Sequence, residues 1–133
     1  MGFSVYLFLY LAAMLTVIRA QLLPSSILCA PARGPLITRD DCKKSLHRFS
    51  SESNVIFWSR EVNFYSCGTC KLIITKPTLP RSVHHAAVHG DALTAMHLGM
   101  EKCEGKPTNA TIGNSEPISV LLDHGNGEKC PNW

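Results

Sequence analysis

The sequence predicts an α+β fold in which two helices pack on one face of a three- to four-stranded antiparallel sheet, stapled by disulfides. Three observations predict this class. Two segments carry apolar residues at helical spacing, several short segments are β-branched or aromatic, and all six cysteines follow an apolar leader. The predicted order is helix, two or three strands, helix and strand, which is typical of a two-layer α+β domain.

The N-terminal segment has the outline of a secretory signal peptide. Residues 5–18 are apolar apart from Thr16, and the chain turns polar from Arg19 onward. A membrane-spanning helix needs about 20 apolar residues, so this run is too short for a stable span. We expect residues 1–20 to be removed by cleavage after Ala20, leaving a secreted, extracellular protein.

The cysteines predict three disulfides, because an even number of thiols oxidises in pairs outside the cell. They are Cys29, Cys42, Cys67, Cys70, Cys103 and Cys130. The sequence leaves their pairing open. Each bridge is expected to stabilise the fold by about 2–4 kcal/mol, mainly by restricting the unfolded chain.

The first elements follow from local composition. Residues 21–35 contain three prolines and no regular period, so they predict an extended N-terminal arm, and residues 36–133 predict a single domain. Thr38 is expected to cap the first helix, whose face repeats apolar residues at Cys42, Leu46 and Phe49. The short polar residues 50–54 are expected to end that helix.

Three β-rich segments follow and are expected to form neighbouring antiparallel strands. They span residues 55–58, 62–65 and 71–75, with a turn at 66–69 in which Gly68 supplies unusual backbone angles. The first of them ends at Trp58 and the second at Tyr65.

A second helix is predicted after these strands. Asp91 is expected to cap it, apolar residues share one face, and Gly105 and Pro107 end it. Residues 109–117 predict a polar loop, and residues 118–122 predict a last strand with Val120 on its buried side.

The Cys67-Gly68-Thr69-Cys70 segment has the spacing of a redox pair or of a zinc half-site. A strand follows it, so the helix dipole that would lower a thiol pKa is absent. His84, His85 and His89 follow at a tolerable distance for zinc, but thiols in an oxidising compartment form disulfides. We expect structural disulfides here, with no metal and no cofactor.

Four histidines cluster in sequence, at His84, His85, His89 and His97. We interpret them as solvated side chains. The alternative interpretation is a surface that responds to acid.

Catalysis is not the favoured interpretation. The sequence has no serine in a glycine-flanked elbow, and a chain with bridged cysteines has no free thiol nucleophile. A small secreted hydrolase or nuclease that uses His85, His89 or His124 with a carboxylate remains an alternative. The net charge of +3 is too small to indicate a nucleic-acid partner.

Two further features bear on the surface. Asn109-Ala110-Thr111 is an N-glycosylation sequon. The aromatic residues Trp58 and Tyr65 are read by default as core, and alternatively as a ligand face that stacks on sugar rings, as in a carbohydrate- or cell-wall-binding module.

The succession of motifs resembles small cysteine-rich secreted proteins of fungi. Asp41-Cys42 at a helix start, Cys67-Gly-Thr-Cys70 before a strand, a helix from Asp91 to Cys103 and Ile118-Ser-Val-Leu are similar to killer-toxin-like and necrosis-inducing effector domains. The second cysteine of the C-x-x-C segment and a last strand without tryptophan depart from that pattern. The resemblance implies a non-enzymatic, effector-like or toxin-like protein that contacts an extracellular protein, glycan or cell surface, and it implies no site residues.

Overall fold

The computed structural model describes residues 25–31, 34–80, 84–113 and 116–131, so the predicted signal peptide lies outside the described residues. The elements are β1 (Ser25–Cys29), α1 (Arg39–His47), β2 (Ser50–Glu52), β3 (Val55–Trp58), β4 (Phe64–Cys67), β5 (Cys70–Thr75), β6 (His85–Val88), α2 (His89–Cys103), β7 (Thr108–Ile112) and β8 (Ile118–His124). The fold is α+β, with two helices and two antiparallel sheets among these residues.

The larger sheet has five strands in the order β1-β7-β8-β5-β4, more than the three or four expected. Two of its strands had no strand prediction. β1 falls in the predicted arm and β7 in the predicted polar loop. In β7 the polar side chain of Asn109 alternates with buried Ala110 and Ile112, so the sequence looks polar while one side of the strand lines the core.

The smaller sheet has the order β2-β3-β6 and corrects the expected strand pairing. β3 does not neighbour β4; it pairs with β2 and β6. Residues 50–54, expected only to end the helix, form β2 and a tight turn in which Ser53 and Asn54 have positive φ. Burial of Ile56 and Trp58 attaches this small sheet to the core.

The predicted cap of α1 is confirmed, whereas the predicted cap of α2 is not. Thr38 is the N-cap of α1, and its hydroxyl accepts a hydrogen bond from the Asp41 N–H at 3.4 Å. α2 begins at His89, ahead of the expected cap Asp91, and its N-cap Val88 makes no side-chain capping bond. β6 runs directly into α2, so the preceding strand sets where the helix begins.

Both helices pack on the same face of the five-stranded sheet. α1 contacts β4 and β5, whereas α2 contacts β1, β7 and β8. The approach of α2 is close at Gly99, where a Cβ atom would lie 2.8 Å from Thr108 Cγ2. The largest fully buried apolar side chains are Leu46, Ile56, Leu72, Ile74, Met96, Val120 and Leu122. Neither helix in the described residues has the length and apolar character to cross a bilayer.

All six cysteines form disulfides, which confirms the predicted count and settles the pairing. The bridges are Cys29–Cys103, Cys42–Cys70 and Cys67–Cys130. They join β1 to the end of α2, α1 to β5, and β4 to the C-terminal tail. The two cysteines of the C-x-x-C segment therefore belong to different bridges and do not bond to each other.

The turn between β4 and β5 is the point where several segments meet. The Asp41 carboxylate accepts hydrogen bonds from the Thr69 N–H at 2.8 Å and from the Thr69 hydroxyl at 2.7 Å. Burial raises the pKa of Asp41, but these bonds, the Thr38 hydroxyl and Lys44 outweigh it and hold the pKa below its ordinary value. The stabilisation from the carboxylate is therefore present above its unfolded pKa and is lost as pH falls through its folded pKa.

We predict that Gly68→Ala destabilises the protein strongly. Gly68 has φ +53°, and an added Cβ would lie 2.5 Å from the Asp41 carboxylate. Gly127→Ala is the matched control, because Gly127 has φ +83° with nothing within 4 Å. Denaturant unfolding should show losses of about 3 kcal/mol for Gly68→Ala and about 1 kcal/mol for Gly127→Ala. Equal losses would mean that contact with Asp41 contributes nothing.

Candidate functional site

Side chains able to bind a partner lie on two opposite sides of the five-stranded sheet. One group lies along the contact between the two helices. The other lies on the sheet face that points away from the helices. The first combines positive charge with histidines, and the second is largely apolar.

The helix seam is the line of side chains where α1 meets α2. On α1 it consists of Arg39, Lys43 and His47, and on α2 of His89, Leu93 and His97. Each trio has the spacing i, i+4, i+8, which places its members along one side of a helix. Five of the six side chains are cationic or become cationic on protonation.

The contacts show that the two trios run antiparallel. The rings of His47 and His89 are 5.6 Å apart between centroids. At the other end, Arg39 and Lys43 are the charges that act on His97. The end of α1 therefore faces the start of α2, and the seam is about 12 Å long at the rise of an α-helix.

The cations of the seam lack acidic partners among the described residues. The two ion pairs there are Lys44–Asp40 at 3.3 Å and Lys76–Glu116 at 3.5 Å, and neither includes a seam residue. Asp40 is the acidic neighbour on α1, and Lys44 already engages it. Glu101 follows His97 by one turn on α2, without an ion pair to it. The seam therefore presents uncompensated positive charge.

The histidines of α2 respond to this charge. Burial lowers the pKa of His89 below its ordinary value, and electrostatic repulsion between the His47 and His89 rings lowers it further. Burial likewise lowers the pKa of His97, with smaller contributions from Arg39 and Lys43. Each imidazole resists protonation in the folded protein, so acid adds charge to the seam at the expense of stability.

A small cleft adjoins the His47–His89 pair. Its volume is about 200 Å³, and its walls are Leu46, His47, Phe49, Ser51, Asn54, Ile56 and His89. The His89 N–H donates to the Asn54 carbonyl at 2.7 Å, which fixes the start of α2 against the β2–β3 turn. In the described part of the chain, no group of three or more histidine, cysteine or acidic side chains is placed to hold a metal ion.

The second surface is one cross-strand row on the outer face of the large sheet. We name it the outer row; its members, in register across all five strands, are Leu28, Asn109, Leu121, Ile73 and Phe64. Leu28 is 66% exposed and Phe64 is 44% exposed. A groove of about 590 Å³ lies at the β1–β7–β8 end of this face and includes Pro31 and Pro107 in its walls.

Trp58 lies in the core, as the default interpretation expected, and not on the alternative ligand face. Its side chain is 5% exposed, so its ring cannot stack on a sugar. Tyr65 is half-buried, with Phe49 edge-on at 4.7 Å and the Arg48 guanidinium 5.2 Å from its ring centroid. Trp58 and Tyr65 are buried or half-buried because each occupies an inward-facing position of its strand. Phe57, the neighbour of Trp58 in the strand, is the exposed aromatic side chain there.

The four sequence-neighbouring histidines do not form one cluster. His85 lies in β6 with its Nε2 3.0 Å from the Pro80 carbonyl, whereas His89 and His97 lie in the helix seam. His47, Arg39 and Lys43 complete the seam and had no prediction as site residues. Their i, i+4, i+8 spacing was visible in the sequence, but the pairing of the two helices was not.

The histidine–carboxylate sets proposed for a hydrolase do not form in the described residues. His85 bonds a backbone carbonyl, and His89 faces another imidazole. Neither ring nitrogen of His124 has a hydrogen-bond partner there.

Asn109 lies in the middle of a strand, not in the predicted loop. It is half-buried on the outer face, and Thr111 of the same sequon shares that face, 2.6 Å from the Ser119 hydroxyl. The sequon is thus in the outer row, one strand from its Leu28 end.

We predict that the seam histidines make the protein less stable in acid. Folding lowers the pKa values of His89 and His97, so their contribution to stability is complete above about pH 6.5 and is lost as pH falls below that value. Chemical denaturation of His89→Gln/His97→Gln should show a smaller loss between pH 7.5 and pH 5.0 than the parent protein. His84→Gln, an exposed histidine outside the seam, should leave the loss unchanged. The same pH dependence in all three proteins would contradict this assignment.

Comparisons of the chain with protein-family models, with curated proteins and with solved structures found no match.

Proposed function

We propose that this chain is a secreted, non-enzymatic interaction protein, effector-like or toxin-like, that binds an anionic partner outside the cell through its helix seam. The observation that carries the proposal is the uncompensated charge of the seam. Arg39 and Lys43 are exposed without acidic partners in the described residues, and three imidazoles continue the line.

The disulfides support action outside the cell. All six cysteines are bridged, which is typical of proteins exposed to an oxidising environment. The apolar leader of residues 5–18 fits the same interpretation. Bridges from both helices and from the C-terminal tail would also keep the binding surface intact when proteases attack exposed segments.

The shape of the seam favours a linear acidic polysaccharide as the partner. Its charges follow a line about 12 Å long, which suits a chain with regularly spaced carboxylates. The one apolar side chain of the seam, Leu93, is half-buried, whereas insertion into a membrane surface uses exposed apolar groups. A polysaccharide partner is consistent with the carbohydrate-binding alternative. Charge would then provide the affinity, because burial of Trp58 prevents its ring from stacking on a sugar.

Acid should strengthen this binding. A bound polyanion favours the protonated imidazoles of the seam, so it raises pKa values that burial and neighbouring cations lower in the free protein. Binding is therefore linked to proton uptake, and affinity rises as pH falls toward 5.

We predict that Arg39→Gln/Lys43→Gln weakens binding to a linear polyuronate about tenfold at pH 5.0, since each exposed contact contributes about 0.5–1 kcal/mol. Lys102→Gln/Lys106→Gln is the control with the same change in net charge outside the seam, and it should change the Kd less than twofold. Calorimetry at pH 5.0 and 7.5, with a neutral polysaccharide as the negative probe, measures both effects.

Equal weakening by the two double variants would show attraction by net charge alone and would overturn the seam as the binding site. An affinity that does not weaken from pH 5.0 to pH 7.5 would show that the histidines are not part of the binding site. Preference for vesicles of anionic lipid over the polyuronate would replace the partner that we propose.

The His47–His89 pair favours a second candidate, a small secreted nuclease. Two imidazoles beside a cleft of about 200 Å³ have the residue types for general acid–base hydrolysis of a phosphodiester. One imidazole would take the proton of the attacking hydroxyl as its oxygen bonds to phosphorus. The other would protonate the leaving oxygen as the second phosphorus–oxygen bond breaks.

We predict that, if this second function holds, His47→Gln and His89→Gln each lower kcat for single-stranded RNA cleavage by at least about 100-fold. His84→Gln should retain full activity, and the activity should follow a bell-shaped pH profile. Absence of cleavage by the parent protein, or activity that survives in both seam variants, would eliminate this candidate.

A further inference from the structure

The outer row is a largely apolar surface, exposed at Leu28 and Phe64, with a modification sequon on its second strand, β7. Leu28 and Leu121 flank Asn109 directly, as its register partners on β1 and β8. Among the described residues, the elements packed on the sheet lie on its other face, so this row is left open to solvent.

The geometry of the sequon leaves space beside Asn109. The groove of about 590 Å³ begins at this residue, and Leu28, Pro31, Pro107 and Leu121 give it apolar walls. The Asn109 Oδ1 atom is buried without a hydrogen-bond partner in the described residues, whereas Nδ2 is not among such atoms. The oxygen side of the amide therefore faces the protein, where it makes no hydrogen bond among the described residues.

A sugar attached at Nδ2 would have both polar and apolar neighbours. The apolar face of a pyranose ring packs on aliphatic and proline side chains, and Leu28 and Leu121 offer such contacts on both sides of the attachment point. Thr111 and Ser119 supply hydroxyl groups on the next row of the same face. The sequon within the row is the feature that selects a glycan over other occupants.

We propose that Asn109 carries an N-linked glycan whose first sugar lies in the groove and covers the end of the outer row between Leu28 and Leu121. The bond forms between Asn109 Nδ2 and C1 of the sugar. The C1–oxygen bond to the diphosphate of a lipid-linked oligosaccharide donor breaks, and the amide loses one proton to the solvent. The glycan shields the apolar face and leaves the helix seam, on the opposite side of the sheet, as the surface open to partners.

The test uses protein secreted by a eukaryotic host that performs N-glycosylation. Mass spectrometry should find a glycopeptide that contains Asn109. One sample is then trimmed to a single N-acetylglucosamine, and another is stripped by amidase. Because amidase leaves aspartate at position 109, Thr111→Ala protein, which keeps the Asn109 amide without a glycan, is the uncharged reference for the stripped form. The single-sugar form should bind an apolar fluorescent dye as weakly as the intact glycoprotein, and the stripped form should bind it several-fold more.

NMR supplies a direct readout, because the single-sugar form should show nuclear Overhauser contacts between the sugar and the Leu28 and Leu121 methyl groups. Thr111→Ser keeps the sequon and should retain the glycan, whereas Asn109→Gln removes it. Trimming after folding keeps the test valid even where Asn109→Gln fails to fold.

An unmodified Asn109 in secreted protein would overturn the proposal. Equal dye binding by the single-sugar and stripped forms would overturn the shielding, as would dimerisation through this face by the intact glycoprotein. Polyuronate binding should be the same in the intact and single-sugar forms, so failure of this proposal is distinguishable from failure of the seam.

Discussion

The anchoring of the β4–β5 turn organises the structure around it. The Asp41 carboxylate holds Thr69 by two hydrogen bonds, and the Cys42–Cys70 bridge joins the same helix to the adjoining strand. On the other side of the turn, the Gly68 carbonyl accepts from the Gly127 N–H at 2.9 Å. Because helix, hairpin and tail meet at this turn, its geometry sets where α1 lies on the sheet and hence where the helix seam forms.

The two surfaces follow from one architectural fact, namely that both helices cover the same face of the five-stranded sheet. Covering one face brings α1 and α2 into contact and forms a line of positive charge between them. Among the described residues it also leaves the opposite face without a packed element, and Leu28 and Phe64 are exposed there. Positive charge favours anionic partners in water, while exposed apolar side chains favour contact with other apolar groups. One side therefore suits recognition and the other suits shielding.

Local sequence was a good guide wherever local chemistry decides the structure. The Thr38 cap, the apolar face of α1 and the turn at Gly68 were predictable because capping bonds and positive φ depend on a few adjacent residues. The expected polar loop failed at β7, since outward-facing Asn109 and Thr111 hide the strand period. The expected cap Asp91 failed because β6 leads straight into α2, and nothing in the spacing of Asp91 reveals that strand.

The sequence by itself determined the residue types: six cysteines that pair, a sequon, a capped helix and a basic i, i+4, i+8 stripe on α1. Tertiary structure alone decided which cysteines pair, that His47 meets His89, and that Leu28 and Leu121 flank Asn109. The physical reason is separation along the chain. A cap or a helical stripe spans a few residues, whereas these contacts form only when packing brings distant segments within a few ångströms of each other.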